Sequence, residues 1–522
     1  MLTFGIESSK FGISKPIAKS DHMTLKLVIA NSELGDLIIK KELRYDFNGP
    51  KNDSAIISER LIDIFTCPNR VKELTSFVDE LRKKYRPKCK KVKKCFTFKE
   101  NVDRLVNEKA NWKQFGNAVR KISNEEYSNF MLDIAGLKIK RNLKEYFMKM
   151  RFYSEISRSA STMTDLEEFD ADEDMINLIT SKIDIDDRVY KKYSKMFDDK
   201  GTKEIYPPTN RVTMIVNDWE VSNAFNNISF EKATSWDYIP GLAFKEIYNL
   251  KKKDKGTFDR CCSGIAVLLT ELLKGDKPIP DELFCARLLC LNKCPGTNGK
   301  LENIRPISII GVLMKMMERV IQSRVELYEC LNDIKISKAQ VGFVKGLGCD
   351  VNIMRLRQRV YDLKFLRTRE EKYVLFIDLK AAYDSVNHRK LFSKIENKGY
   401  SDEIINAIRV VYSSARMRLN TLQSHINVNR GVLQGGILSP WLFNIYIDDL
   451  VRSLKEVSFE ALAYADDVAV ICKNRQELDK VIDLFESWAI TNEIAVNKKK
   501  SGILVIDNDR NDMHQYKGTL LK

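Results

Sequence analysis

Two separated segments show the most informative alternation of apolar and polar positions. Tyr373-Val374-Leu375-Phe376-Ile377 is a run of β-forming residues that stops on Asp378, whereas Ala461 to Ala465 and Val468 to Cys472 are two strand-like runs interrupted by Asp466-Asp467. Strands normally exclude aspartate, so each carboxylate is expected at a strand end, and the second segment reads as a hairpin with Asp466-Asp467 as its tight turn. Strands of this kind placed side by side bring Asp378, Asp466 and Asp467 into one small space.

Helical periodicity surrounds them. Ser439-Pro440 opens an amphipathic helix through Trp441, Leu442, Phe443, Ile445 and Tyr446, with proline in the first turn. Tyr446-Ile447-Asp448-Asp449 imitates a tyrosine and paired-aspartate site, but Leu450 and Leu454 continue its helical face, so the two aspartates point to different sides. Asn474 and Glu477 read as a capping box before the stripe Leu478, Val481, Ile482, Phe485 and Trp488. The turn Asn497 to Ser501 leads into a further strand, Gly502 to Ile506. Upstream, Leu288 to Lys293 and Ile304 to Ser308 predict two strands joined by the loop Pro295 to Lys300.

The chain to about Thr209 is charged and helix-prone, and Pro207-Pro208 marks an expected boundary. Within it, the run Arg82 to Lys94 (Lys83, Lys84, Arg86, Lys90, Lys91, Lys93 and Lys94 among its cations), followed by Phe96 and Phe98, suits phosphate neutralisation with base stacking. Nuclear targeting and a solvated linker remain open for the same run. The basic and aromatic stretch Lys138 to Tyr153 reads first as helix core, and the acidic patch Asp165 to Asp174 as solvated linker, since it lacks the glycine and closing glutamate of a calcium loop.

Composition sharpens the picture. At 522 residues the chain has room for two or three domains, and a formal charge of +15 favours a polyanionic partner, with nucleic acid the leading candidate and an anionic membrane surface the other. An apolar span long enough to cross a bilayer is absent from the sequence, and Met1 to Glu7 lacks the order of a secretory signal, so an intracellular location is expected, nuclear in a eukaryote. Eleven scattered cysteines read as reduced thiols; Cys285, Cys290 and Cys294 lack the paired spacing and nearby histidine of a zinc site.

Three converging carboxylates repel one another unless a cation lies between them, and oxygen-only ligands suit Mg²⁺. Paired Mg²⁺ ions stabilise the attacking and leaving oxygens of phosphoryl transfer, which points to nucleotide polymerisation. In Gly431-Val432-Leu433-Gln434-Gly435-Gly436-Ile437-Leu438-Ser439-Pro440 the glycines permit close approach of a nucleotide or template backbone, and Gln434 can hydrogen-bond it. Lys293 and Arg305 on the basic hairpin are positioned to bind a triphosphate, and Lys500, in the late turn, can donate to departing pyrophosphate.

Taken together, Lys232 to Pro240 with Trp236-Asp237-Tyr238-Ile239-Pro240, Arg305 to Ser308, Gln340-Val341-Gly342-Phe343, the Asp378 segment, Gln434-Gly435-Gly436 with Leu438 to Pro440, Tyr464 to Asp467 and Asn497 to Ser501 resemble a reverse transcriptase of non-LTR (LINE-like) retrotransposons. The resemblance implies an α+β right-hand polymerase fold: a mainly helical, basic extension at 1–209, fingers at 210–360, a palm at 361–510 with a ferredoxin-like sheet packed by helices, and only the start of a thumb, or a tail, at 511–522. It further implies two Mg²⁺ ions on Asp378, Asp466 and Asp467, and places Tyr383 beneath the incoming sugar, where its ring excludes a ribose 2′-hydroxyl. The implied partners are an RNA template, a DNA primer or nicked target and deoxynucleoside triphosphates. A group II intron-type reverse transcriptase or maturase, and a non-catalytic nucleic-acid-binding remnant of a retroelement, are the alternatives.

Overall fold

The structure, a computed structural model, describes residues 42–46, 49–85, 88–92, 166–170, 175–179, 182–198, 203–207, 212–276, 279–293, 300–365, 370–419, 424–498 and 500–506. Two compact units divide the chain, Met1–Arg44 with Lys91–Ala160, and Tyr45–Lys90 with Ser161–Lys522. The second holds both aspartate segments and the glycine-rich segment Gly431 to Pro440, and it includes residues on either side of position 209. Expectations for Lys138 to Tyr153, Phe96 and Phe98, Arg86, Lys93, Lys94, Cys294 and 511–522 lie outside the described residues.

In chain order the elements are β1 (Glu42–Asp46), α1 (Gly49–Asn52), α2 (Ser54–Thr66), α3 (Arg70–Lys84), β2 (Lys88–Val92), β3 (Leu166–Asp170), β4 (Met175–Ile179) and α4 (Lys182–Phe197). There follow α5 (Asp218–Asn226), α6 (Gly241–Lys253), α7 (Lys255–Leu273), β5 (Cys285–Asn292), β6 (Ile304–Ile309), α8 (Val312–Asn332), α9 (Cys349–Phe365) and β7 (Lys372–Lys380). The last are α10 (His388–Asn397), α11 (Asp402–Ser414), β8 (Arg416–Arg418), β9 (His425–Asn427), α12 (Ser439–Val457), β10 (Glu460–Tyr464), β11 (Asp467–Cys472), α13 (Arg475–Asn492), β12 (Ala495–Val496) and β13 (Gly502–Ile506).

A five-stranded antiparallel sheet carries both aspartate segments in the order β10–β11–β7, with β12 and β13 sharing the other edge of β7. Because side chains alternate along a strand, β7 serves two cores. Tyr373, Leu375, Ile377 and Leu379 join the main core with α12 and α13, whereas Val374 joins Leu462, Ile471, Ile506 and Leu363 of α9 in a smaller cluster on the opposite face. Asp378 shares that second face. The α9 cluster covers its neighbours Val374 and Phe376 and stops short of the carboxylate end.

A second sheet runs β6–β5–β8–β9, with β5 antiparallel to β6 and parallel to β8. Helices α2, α6 and α7 pack closely on one another: a side chain at Gly264 of α7 would stand 1.7 Å from the Phe65 carbonyl of α2, so only glycine allows this approach.

Several expectations need correction. The turn of the aspartate hairpin is Ala465-Asp466, because Asp467 is already the first ladder residue of β11 and pairs with Asp378 across β7. Strand β7 likewise continues past Asp378 to Lys380, held there by pairing with Ala495 and Val496. Part of the acidic patch is not linker: β3 pairs with β4 in a register that sets Leu166 opposite Ile179 and Phe169 opposite Ile176. In the basic run, Lys83 and Lys84 close α3, and Lys84 Nζ lies 2.9 Å from Asp53 Oδ2. Lys90 and Lys91 belong to β2. The decoy pair is helical, as its pattern requires: Asp448 of α12 is buried, accepts from the Ser337 amide at 2.6 Å and pairs with Lys398 and Arg452. Burial opposes its ionisation, but those hydrogen bonds prevail and hold its carboxyl below the usual range.

Glu318 of α8 is 1% exposed and accepts from the Ile437 amide, two residues before α12. Burial pushes its carboxyl up to about 7, against the pull of the Ile437 and Leu438 amides and of Lys315 and Arg319. A carboxyl raised on folding keeps a proton that the unfolded chain has released, so its contribution is full at low pH and is lost as pH rises from about 4.5 to about 7. Glu318→Gln removes this loss while an amide oxygen still accepts the backbone bonds. Urea unfolding is expected to find the variant more stable than the parent at pH 8, by at most roughly 3 kcal/mol, and nearly equal at pH 4.5.

Candidate active site

The register of β7 and β11 places Asp378 directly opposite Asp467, and the next ladder pair is Ile377 with Val468. Directly opposed side chains on one face of a sheet lie a few ångströms apart, so these two carboxylates project together. Asp466, in the turn, is half-buried beside them. Burial raises its carboxyl, the charges of Asp467 and Asp378 raise it further, and Arg305 draws it down. Asp467 is raised by burial and by Asp378, with Lys500 opposing. Three acidic groups therefore press on one another from elements more than eighty residues apart.

Asp378 is gripped from the turn after α13. Asn497 Nδ2 donates to its Oδ2 at 2.6 Å, the Asn497 amide to its carbonyl at 2.8 Å, and Ser501 Oγ accepts from its amide at 3.0 Å. The same turn carries Lys500, exposed near Asp467. Sequence reading valued this turn for its lysines and missed Asn497 and Ser501 as partners of Asp378.

The three carboxylates offer the hard oxygen donors that Mg²⁺ takes. Among the described residues, no group of three or more His, Cys, Asp or Glu side chains is already arranged to hold a metal ion. A cation at Asp378 would meet the Asn497 side-chain amide, which already donates to Oδ2. The donor chemistry fits a divalent cation. Cys285 and Cys290 lie buried on β5.

A floor of aromatic rings borders the carboxylates. Tyr383, on the 3₁₀ turn Tyr383–Ser385, stacks on Phe443 of α12 with centroids 4.7 Å apart and planes 16° from parallel, and meets the edge of Phe343. Its hydroxyl is buried and lacks a hydrogen-bond partner. Burial, reinforced by the charge of Asp466, raises the phenol's pKa.

The glycine-rich segment forms the adjoining wall. Gly431 and Val432 amides donate to the Val386 and Tyr383 carbonyls, and the Gln434 carbonyl accepts from the Ser308 amide of β6 at 2.7 Å. Gly435 has φ +124° and lies so close to β6 that a Cβ there would stand 2.4 Å from the Ser308 carbonyl oxygen, which explains the residue chosen. Gln434 Nε2 donates to Asp384 Oδ1 at 2.7 Å. Burial pushes the Asp384 carboxyl up to about 6, while the Gln434 bond and the charges of Lys293 and Lys192 act in the other direction. Asp384 had no assigned part in the sequence reading although it follows Tyr383 directly. Lys293 and Arg305 are exposed near the paired ends of β5 and β6, where Arg305 lies opposite Leu291. Of the positions expected to meet a nucleotide, Tyr383, Gln434, Gly435, Arg305 and Lys293 thus group around this wall, and Lys500 stands on the Asp467 side. The cations of Lys83 to Lys94 belong to α3, β2 or undescribed residues.

Residues 294–518 match the family described as reverse transcriptase (RNA-dependent DNA polymerase). The chain is 27% identical over 219 residues to the Retrovirus-related Pol polyprotein from type-1 retrotransposable element R2 of Nasonia vitripennis, covering 40% of this chain and 21% of that protein. It is 26% identical to the R2 polyprotein of Popillia japonica, covering 44% and 33%. It is also 27% identical to the RNA-directed DNA polymerase from mobile element jockey of Drosophila funebris, covering 40% and 24%. The chain thus spans between about a fifth and a third of the length of these relatives. Among the described residues, no helix is long and apolar enough to cross a membrane.

Proposed function

We infer, from a reverse transcriptase domain of the non-LTR retrotransposon type at residues 294–518, that this chain is an RNA-directed DNA polymerase extending a DNA 3′ end on an RNA template. The observation that carries the reading is the direct opposition of Asp378 and Asp467 across β7 and β11, with Asp466 in the adjoining turn. On this reading the β10–β11–β7–β13 sheet with α12 and α13 is the palm within 361–510, residues 210–360 are fingers, and 1–209 are an extension. The partners are an RNA template, a DNA primer or nicked target, and deoxynucleoside triphosphates. The basic charge serves the first two.

Asp378, Asp466 and Asp467 would hold two Mg²⁺ ions, which when bound supply Lewis-acid stabilisation to the oxygens entering and leaving phosphorus. The rest is positioning by side chains. Arg305 and Lys293 neutralise the triphosphate, Lys500 donates to departing pyrophosphate, and Gln434, fixed by Asp384, lies against the nucleotide beside Gly435. The Tyr383 ring, pinned on Phe443, bounds the sugar pocket.

Purified chain supplied with a DNA primer annealed to RNA, deoxynucleotides and Mg²⁺ is expected to extend the primer to the template end. Binding of the primer-template without any added nucleotide, with Mn²⁺ as well as Mg²⁺, would instead identify a nucleic-acid-binding remnant.

A further inference from the structure

The hairpin that presents Asp466 contains a strained residue. Ala465 has φ +54°, a left-handed conformation that is sterically unfavourable for a residue bearing a Cβ and that glycine would adopt freely. It is also 4% exposed, so its backbone groups need partners within the protein. One side chain supplies both. Gln340, 2% exposed, accepts the Ala465 amide on Oε1 at 2.9 Å and donates Nε2 to the Ala465 carbonyl at 3.2 Å. The same Oε1 accepts the Gly342 amide at 2.8 Å, which fixes the orientation of the side-chain amide.

The surrounding backbone makes this clamp rigid. Residues 339–341 run beside β10, with the Ala463 amide donating to the Ala339 carbonyl and the Val341 amide to the Ala463 carbonyl. Asn352 of α9 donates to that same Ala463 carbonyl at 2.9 Å. Gly342 is pressed against the turn: a Cβ there would stand 2.3 Å from the Ala465 nitrogen. Its carbonyl is held by Asn444 of α12 at 2.8 Å. The segment is anchored at its start by the Ser337 amide on buried Asp448.

We propose that Gln340 is a positioning residue for the Asp466-Asp467 turn, holding Ala465 left-handed so that the Asp466 carboxylate is presented toward Asp378. The proposal rests on the reading of Asp466 as a metal ligand, but the clamp is also measurable without metal. Hydrogen exchange on the metal-free parent chain is expected to find the Ala465 amide protected to within about tenfold of the β11 core amides, although it lies in a turn. An Ala465 amide exchanging at the rate of an open turn would overturn the clamp, and this measurement needs no variant.

Gln340→Met keeps the length of the side chain and loses all three hydrogen bonds. Its Ala465 amide is expected to exchange at least about tenfold faster relative to the core, and Mn²⁺ binding, read by electron paramagnetic resonance, to weaken at least about tenfold. Adding Ala465→Gly to Gln340→Met should restore at least a third of the lost Mn²⁺ affinity, because glycine takes the left-handed conformation without steric cost. A parent-like Mn²⁺ affinity in Gln340→Met, or no recovery in the double variant, refutes positioning through Ala465. If Asp466→Asn leaves Mn²⁺ affinity unchanged, it is the metal-ligand reading that fails, while Ala465 exchange still decides whether the clamp exists.

Discussion

Primer extension by the Asp466→Asn chain is expected to fall by at least about a thousandfold in kcat while primer-template affinity stays within about threefold of the parent. Asparagine has nearly the same shape and can keep the turn, but it removes one of three mutually repelling carboxylates. If the cluster exists to hold cations, that charge is worth several kcal/mol of transition-state stabilisation, and each 1.36 kcal/mol is a decade in rate. Nucleic-acid affinity should barely move, because it comes from cations neutralising phosphates. A structural role for Asp466 predicts the opposite: relief of carboxylate repulsion would stabilise the fold and spare extension. Extension within tenfold of the parent, measured as single-turnover addition of one deoxynucleotide with parent-like unfolding, refutes the assignment.

The parts of this site that were legible in the sequence are those set by local pattern. Apolar runs stopping on aspartate located β7 and the β10–β11 hairpin, and a period of 3.6 through Leu450 and Leu454 put Asp448 on a helix, where it is buried against Lys398 and Arg452. What was not legible is non-local. The exact position of the turn depends on ladder pairing between Asp467 and Asp378, which is a property of two strands and not of either run. Asn497 looks like an ordinary turn residue until its amide is seen to reach Asp378, 119 positions away. Asp384 reads as part of a strand-end segment until Gln434, 50 positions later, donates to it. Gln340 could be quoted only as part of a motif, since its work is done on the backbone of Ala465, 125 positions on. The acidic stretch around Leu166 to Asp170 suggested linker by its charge density, whereas its backbone pairs as β3 with β4, a partnership set by a second segment and not by the stretch itself.

The second large effect concerns the sugar. Tyr383→Ala is expected to raise the ratio of ribonucleotide to deoxynucleotide incorporation by roughly 10- to 200-fold, the range over which a pocket wall distinguishes substrates differing by one small group. The argument is steric. Stacked at 4.7 Å on Phe443 and flanked by Phe343, the ring cannot retreat from an added 2′-hydroxyl without vacating a packed position. The phenol hydroxyl contributes nothing to this wall through hydrogen bonding within the protein, because it is buried and unpartnered. Tyr383→Phe should therefore keep parent-like discrimination and, by removing an unsatisfied buried polar group, leave stability equal or slightly higher. The ratio is taken within each variant from competing kcat/KM values, so any loss of overall activity in Tyr383→Ala cancels. Unchanged discrimination in Tyr383→Ala would show that the ring does not bound the sugar. Loss of discrimination in Tyr383→Phe would assign the effect to the hydroxyl, and with it a hydrogen bond formed only when nucleotide is bound.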